Sequence, residues 1–382
     1  MSKERSAELD SIRGIAAFVV VLHHCWQVML PAQETLPFAD AAHPIARAIA
    51  LSPLRLLFAG HAAVGIFFVL SGYVLAQSLA RVPMTYAQYV ARRICRIWLP
   101  FGVAIVFAAG LVLLIAPQPL PGHAWLNLSW NVPVTFQLVV WHLAMAGTTR
   151  FQSLDNPMWS LVHEMRLSLV FPLLVLAFTW RPRATLAVTL VALISLSVRH
   201  LTNALGASPD GNDLSGLCFS LCQTARYSAF FVLGIWLSQR PDVLLRKQVP
   251  KPLLWCLSFA LLWIPFTASI IDMAYAIGAF LLIGLCLQSA TAHAVLTYRI
   301  PIYLGTISYS LYLLHMPIIL AFEHVLYGRV NEWLLLTMAV VTALAIATVS
   351  YRYVEVPAIR LGKFLAARTT FRLALPSRSA AH

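Results

Sequence analysis

Apolar runs long enough to cross a hydrocarbon layer fill most of this chain, and nothing else in it constrains the fold as strongly. A layer about 30 Å thick takes roughly 18 to 20 consecutive apolar residues in a helix. About ten such runs are expected, at roughly 11–30, 57–80, 98–116, 158–180, 184–200, 216–239, 252–271, 272–290, 303–325 and 331–352. Without water in the layer, each span must satisfy its own backbone, which selects helices; barrel strands would instead show short alternating segments. The expected fold class is therefore all-α, a polytopic transmembrane helical bundle. Composition agrees, because 60% of the 382 residues are apolar and only 11% are charged. A soluble domain carries about a quarter charged residues, so an ordinary soluble enzyme is excluded, and so is a disordered chain.

Net charge then speaks to topology. The 27 Lys plus Arg against 14 Asp plus Glu give +13, which in a soluble protein would point to nucleic acid. Threaded from a cytoplasmic N-terminus, 20 of the 27 basic residues fall inside and five (Arg47, Arg55, Arg150, Arg199, Arg329) outside, with Arg166 and Arg226 within spans. That asymmetry predicts both termini in the cytoplasm, a multi-pass protein of the cell membrane, and a bilayer rather than a nucleic acid as partner. Residues 134–147 are apolar but too short to cross, so they are expected to form a re-entrant or interfacial segment. Pro117, Pro119, Pro121, Trp125 and Trp130 before it suit an external interfacial loop.

The first apolar run carries Arg13, His23 and His24, and its Ala39-Asp40-Ala41 cleavage-like site lies far downstream, so an uncleaved first helix is expected. Cys25, Cys95, Cys218, Cys222, Cys256 and Cys286 sit in or beside spans with no metal-ligand spacing, and Cys218 and Cys222, one helical turn apart, read as buried filler. No metal site is expected. The domain organisation expected is one transmembrane domain over 1–360 and a short, basic, mobile cytoplasmic tail over 361–382.

Polar groups inside spans are costly and mark candidate functional positions. Asp10, Arg13 and His24 share one stripe of the first helix, and at about 1.5 Å per residue His24 lies past the middle of the layer. Asp10 and Arg13 stay at the cytoplasmic mouth; the bland alternative is a local ion pair there and a His24 that merely bonds a neighbouring helix. A second group is Trp159, Ser160, His163, Glu164 and Arg166, expected at the external end of the fourth span, where a structural ion-pair cluster is the rival explanation. Arg226, His315 and Glu323 are further intramembrane candidates. Arg92, Arg93 and Arg96 cluster on the first cytoplasmic loop, where lipid headgroup contact competes with ligand binding.

These residues also carry a resemblance. Leu9-Asp10-Ser11-Ile12-Arg13-Gly14 followed by His23-His24 resembles the first helix of the acyltransferase 3 family of integral membrane O-acyltransferases. Phe67-Phe68-Val69-Leu70-Ser71-Gly72-Tyr73 is similar to its second-helix motif, and Arg92-Arg93-Ile94-Cys95-Arg96 to its basic loop. Trp159-Ser160-Leu161 with Glu164 matches a Trp-Ser-Leu-x-x-Glu element, and Ser308-Tyr309-Ser310-Leu311-Tyr312 with His315 and Pro317 matches the late helix. The sequence departs from the usual Glu-Glu-Gln-Phe-Tyr continuation with His163-Glu164-Met165-Arg166, and from a terminal Glu-Arg-Pro with Glu355-Val356-Pro357.

The resemblance implies transfer of an acyl group, commonly acetyl from acetyl-CoA, to a hydroxyl of a saccharide or another exported or lipid-linked acceptor, with no permanently bound cofactor. On that basis His24 and Glu164 are the expected catalytic residues, and Arg13, Arg92, Arg93 and Arg96 the expected donor-binding residues. Asp10, Ser71, Trp159, Ser160, His163, Arg166, Arg226, Tyr309 and His315 are expected to support them. Chemistry favours the assignment: a hydroxyl needs a base, which histidine supplies near neutral pH, and arginine suits the phosphates of acyl-CoA. The donor is expected to thread from the basic mouth to His24, with Glu164 approaching from outside to orient the acceptor or His24. A transporter or flippase using the intramembrane His, Arg and Glu as a path is the alternative.

Overall fold

The computed structural model describes residues 7–29, 47–49, 51–123, 125–145, 153–179, 214–241, 244, 249–264 and 270–369. The helices run in the order α1 (Ala7–Met29), α2 (Gly60–Arg81), α3 (Tyr86–Ile115), α4 (Phe136–Leu143), α5 (Met158–Thr179) and α6 (Leu214–Gln239). They continue as α7 (Lys251–Trp263), α8 (Ile270–Cys286), α9 (Ala290–Leu296), α10 (Arg299–Leu326), α11 (Glu332–Ser350) and α12 (Val356–Arg368). The fold is all-α, as the sequence predicts, and the described cysteines are free thiols.

Among the described residues six helices are long and apolar enough to cross a membrane, or seven if the sharply bent α8–α9 pair is one span. Those six are α1, α2, α3, α5, α10 and the continuous α11–α12. The sequence predicts about ten, and the differences have local causes. The span expected at 184–200 lies outside the described residues. Helix α6 is 26 residues long but carries Gln223, Thr224, Arg226 and several serines, which dilute its apolar character. Helix α7 ends after 13 residues, too short to cross alone. The segment read as interfacial is an eight-residue helix, α4, held to α3 by Trp98 Nε1 donating to Leu143 O at 2.7 Å.

Two crossings organise the bundle. Helix α1 packs along α10, and α2 along α6. Both crossings are closed by glycines: a Cβ on Gly14 would overlap the Leu304–Gly305 backbone, and one on Gly234 would overlap the backbone of α2. Without a hydrophobic drive between helices in lipid, such small residues give the close backbone approach that packing needs. Outward-facing Leu113, Leu114, Trp333, Val341 and Val349 leave an apolar surface suited to lipid.

A single π-helical turn, Tyr351–Glu355, joins α11 to α12. Residues 361–368, expected to begin a mobile tail, instead continue α12, which packs on α3 with Gly362 against Cys95. Gln88 Nε2 donates to Thr369 O at 3.4 Å, so the far end of α12 meets the start of α3. The remainder of the expected tail lies outside the described residues.

Candidate active site

Alpha-helical spacing places His24 one turn and a half from the end of α1, and the α1–α10 crossing brings it to His315 of α10. His24 Nδ1 and His315 Nε2 are 2.8 Å apart, between residues 291 positions apart in sequence. Their ring centroids are 5.1 Å apart with planes 21° from parallel, so the imidazoles meet edge to edge across that bond. His315 Nδ1 lies 3.1 Å from Leu311 O, the carbonyl one turn earlier on its own helix. Trp125, from the loop after α3, stacks on His24 with centroids 5.7 Å apart and planes 17° from parallel. His24 is 9% exposed and His315 fully buried. The adjacent His23 points away, bonding Phe58 O at 2.8 Å.

At the opposite end of α1 a cavity of about 370 Å³ opens among α1, α2, α3, α5, α10 and α12. Arg13, Arg92, Arg93, Arg96 and Lys363 line it together with Asp10, Glu164 and Glu355. All four expected donor-binding arginines therefore border one space. Arg13 pairs with Asp10 at 3.5 Å, the local ion pair that the sequence left open as the bland alternative. Arg93 reaches from α3 to α5, donating to Ser168 Oγ at 2.7 Å and meeting Glu164 Oε1 at 3.4 Å. Ser71 Oγ donates to the same carboxylate oxygen at 3.2 Å.

Glu164 thus belongs to the basic cavity. It faces Arg93 and Ser71, and no bond joins it to His24 among the described residues. Sequence spacing placed it at the external end of its span, but α5 begins well inside the bundle: Tyr86 and Tyr89, at the start of α3, already reach Leu169 O and Ser168 O. The expected open path from the basic mouth to His24 is also interrupted. Neither histidine of the pair lines the cavity, whose inner wall is made by Phe67, Ser160 and Tyr312. Tyr312 Oη and Ser160 Oγ are 2.6 Å apart, and the Tyr312 ring lies 5.9 Å from that of His315. One aromatic ring separates the cavity from the imidazole pair.

The remaining expected residues fall in two places. Tyr309 lines the cavity and donates to Ile97 O at 2.7 Å. Trp159, His163 and Arg166 lie on the other side of α5, facing α6, and Arg226 lies on α6 itself. Trp159 packs against His61 and Tyr227, His163 Nδ1 is 2.9 Å from Thr224 Oγ1, and Arg166 donates to Ser220 Oγ at 2.8 Å. Arg226 pairs with Asp272 of α8. These four knit α5, α6 and α8 together rather than bordering the cavity.

Sequence reasoning passed over Tyr312 as a site residue, along with Trp125, Glu355 and Lys363. Lys363 carried a signal, since Tyr351, Glu355, Ile359 and Lys363 repeat every fourth residue and form one stripe into the cavity. The π turn, a feature frequent at functional sites, seats Glu355 to accept from Ser310 Oγ at 3.0 Å. Trp125 carried none, as it comes from an irregular loop. Among the described residues no group of three or more His, Cys, Asp or Glu could hold a metal ion.

Comparison with known proteins gives two kinds of match. The acyltransferase domain family, acyltransferase 3, matches residues 6–352. The chain is 24% identical over 329 residues to the "Putative peptidoglycan O-acetyltransferase YrhL" of Bacillus subtilis (strain 168), covering 78% of this chain and 50% of that protein. It is 30% identical over 171 residues to "Acyltransferase MdmB" of Streptomyces mycarofaciens, covering 44% of this chain and 39% of that protein. The chain spans half or less of the length of these curated relatives. No solved structure matches it.

Proposed function

The chain belongs to the acyltransferase 3 family, and from that premise we propose that it moves a short acyl group, acetyl first among them, from acyl-CoA to a hydroxyl of a saccharide or lipid-linked acceptor at the membrane. The observation that carries this proposal is the cavity with Arg13, Arg92, Arg93, Arg96 and Lys363 on its walls, ending one ring short of the His24–His315 pair. A polyanionic thioester needs such cations at its entrance, and arginine forks hold phosphate oxygens well. The same cavity has Phe67 of α2 and Tyr312 of α10 on its walls, apolar surface on which the pantetheine arm could lie.

In this proposal the acceptor oxygen attacks the thioester carbonyl while His24 takes the hydroxyl proton. The tetrahedral intermediate then collapses, the carbon–sulfur bond breaks, and the same proton goes to the departing thiolate, leaving an ester and free CoA thiol. For the carbonyl to reach His24, the Tyr312 ring and its bond to Ser160 must give way, so donor binding and opening of this partition are one event. Glu164 holds Arg93 in place toward the donor. The relative named as a peptidoglycan O-acetyltransferase supports acetyl as the group and a polysaccharide as the acceptor class.

The test uses the full chain in detergent-solubilised membranes supplied with radiolabelled acetyl-CoA, scoring label that hydroxylamine releases as O-ester. His24→Ala should lower turnover by ~100-fold or more at unchanged expression, the usual scale for losing a general base. Near-normal transfer by that variant would remove His24 from the mechanism. No transfer by the unaltered protein would favour a transporter, because detergent abolishes any vectorial transport.

A further inference from the structure

Which nitrogen of His24 is free to act as a base follows from the chain of bonds behind it. A carbonyl oxygen only accepts, so the 3.1 Å contact to Leu311 O requires the proton of His315 to sit on Nδ1. Neutral His315 then presents a bare lone pair at Nε2. Across the 2.8 Å contact, His24 must donate from Nδ1, and its own lone pair is left at Nε2. That second nitrogen has no hydrogen-bond partner among the described residues, while the ring plane is held by Trp125 on one face.

We propose that His315 is a positioning residue that fixes the tautomer and plane of His24, so that the hydroxyl proton is received at His24 Nε2. This rests on His24 being the base. The relay Leu311 C=O, His315, His24 does for this imidazole what a buried carboxylate does for the histidine of a hydrolase triad, which sets the tautomer and holds the ring without taking the proton itself. Here the anchor is a backbone carbonyl on a helix, and the second histidine transmits its polarity across the α1–α10 crossing. As the proton arrives at Nε2, His24 becomes an imidazolium whose Nδ1–H donates to the His315 lone pair more strongly, so the bond tightens when charge develops. No proton leaves the pair until the thiolate takes it back from Nε2.

The alternative within the same geometry is that His315 is itself the base, or that it only packs. Four variants in the full chain separate these: His315→Gln, His315→Leu, His24→Ala and the His24→Ala/His315→Leu double variant. Each is assayed in solubilised membranes with labelled acetyl-CoA, with kcat and the KM for acetyl-CoA measured separately and thermal unfolding as a folding control. A glutamine carbonyl oxygen can stand where His315 Nε2 stands and accept the His24 proton, but it cannot act as a base. His315→Gln should keep kcat within about tenfold, and His315→Leu should lower it about 100-fold with the KM for acetyl-CoA unchanged. In the His24→Ala background, His315→Leu should cost nothing further, because residues acting as one unit are not additive.

Equal collapse of the Gln and Leu variants would overturn the proposal in favour of His315 as base, and normal kcat in His315→Leu would overturn it outright. If the Leu variant does not fold, His315→Gln decides alone: retained turnover supports positioning and lost turnover refutes it. A dead His24→Ala beside a normal His315→Leu sinks this inference and spares the proposed function, whereas an active His24→Ala sinks both.

Discussion

Asp155 is a fully buried carboxyl group. It lies in the loop before α5, outside the spanning helices, and among the described residues neither side-chain oxygen has a hydrogen-bond partner. Burial raises its pKa well above the ordinary carboxylate value. The folded form therefore keeps a proton that the unfolded chain releases near its usual pKa of about 3.9. Because unfolding releases that proton, rising pH favours the unfolded chain, from the ordinary carboxylate range up to the raised folded value. Asp155→Asn, which keeps the shape without the charge, is expected to unfold at a higher temperature in detergent at about pH 8, with a smaller gain at about pH 5. An equal gain at both pH values would show that the proton is not the cause. Sequence reading misses this residue because Leu154-Asp155-Asn156-Pro157 looks like any exposed turn. His24 is legible for the opposite reason: a polar ring within an apolar run announces its own cost. Its partner His315 was legible as a residue but not as a partner, since nothing in a single chain says which positions 291 apart will meet.

At the scale of elements, helix existence was legible and helix contact was not. Length alone separated the eight-residue α4 from a true span. The span expected at 216–239 forms as helix α6, whose polar residues pair with α5 and α8, while the fourfold spacing of Tyr351, Glu355, Ile359 and Lys363 marked a stripe without saying that α12 would dock on α3 and turn it into the cavity. The contact that matters most for the site is the α1–α10 crossing, because it sets the distance between His24 and His315. A Cβ on Gly305 would sit 2.5 Å from Asp10 O, and backbone cannot swing aside as a side chain can. Gly305→Ala is therefore expected to push the two helices apart, lengthen the 2.8 Å histidine bond, and lower both thermal stability and turnover. Gly110 in α3, whose added Cβ meets nothing within 4 Å, is the control. Gly110→Ala should leave turnover unchanged and add up to about 1 kcal/mol of helix stability. Equal behaviour of the two variants in thermal unfolding and in acyl transfer would mean that the crossing has slack that the packing does not suggest.

Over the whole molecule, the two ends of the bundle differ in chemistry. One end gathers the starts of α1 and α3 with the end of α12, and with them Arg13, Arg92, Arg93, Arg96 and Lys363. At the other end, the loop after α3 folds over the histidine pair, through Trp125 on His24 and through Tyr327 Oη donating to Pro121 O at 3.1 Å. The charge asymmetry along the chain leads one to expect basic residues gathered at one end, and the arginines of the cavity lie together at one end. It could not foretell that Tyr312 and Ser160 close the space between the two ends, which depends on α5 and α10 meeting. A partition between a basic vestibule and a capped imidazole pair makes the donor's side of entry a definite expectation. With acetyl-CoA as the proposed donor, its charge bars it from crossing lipid, so it should be consumed only when presented to the basic face. Sealed inside-out vesicles given external labelled acetyl-CoA should form O-ester at once, and right-side-out vesicles only after detergent opens them. Rapid turnover by sealed right-side-out vesicles would place the basic face on the outside of the cell and reverse the direction in which the acyl group travels through the bundle.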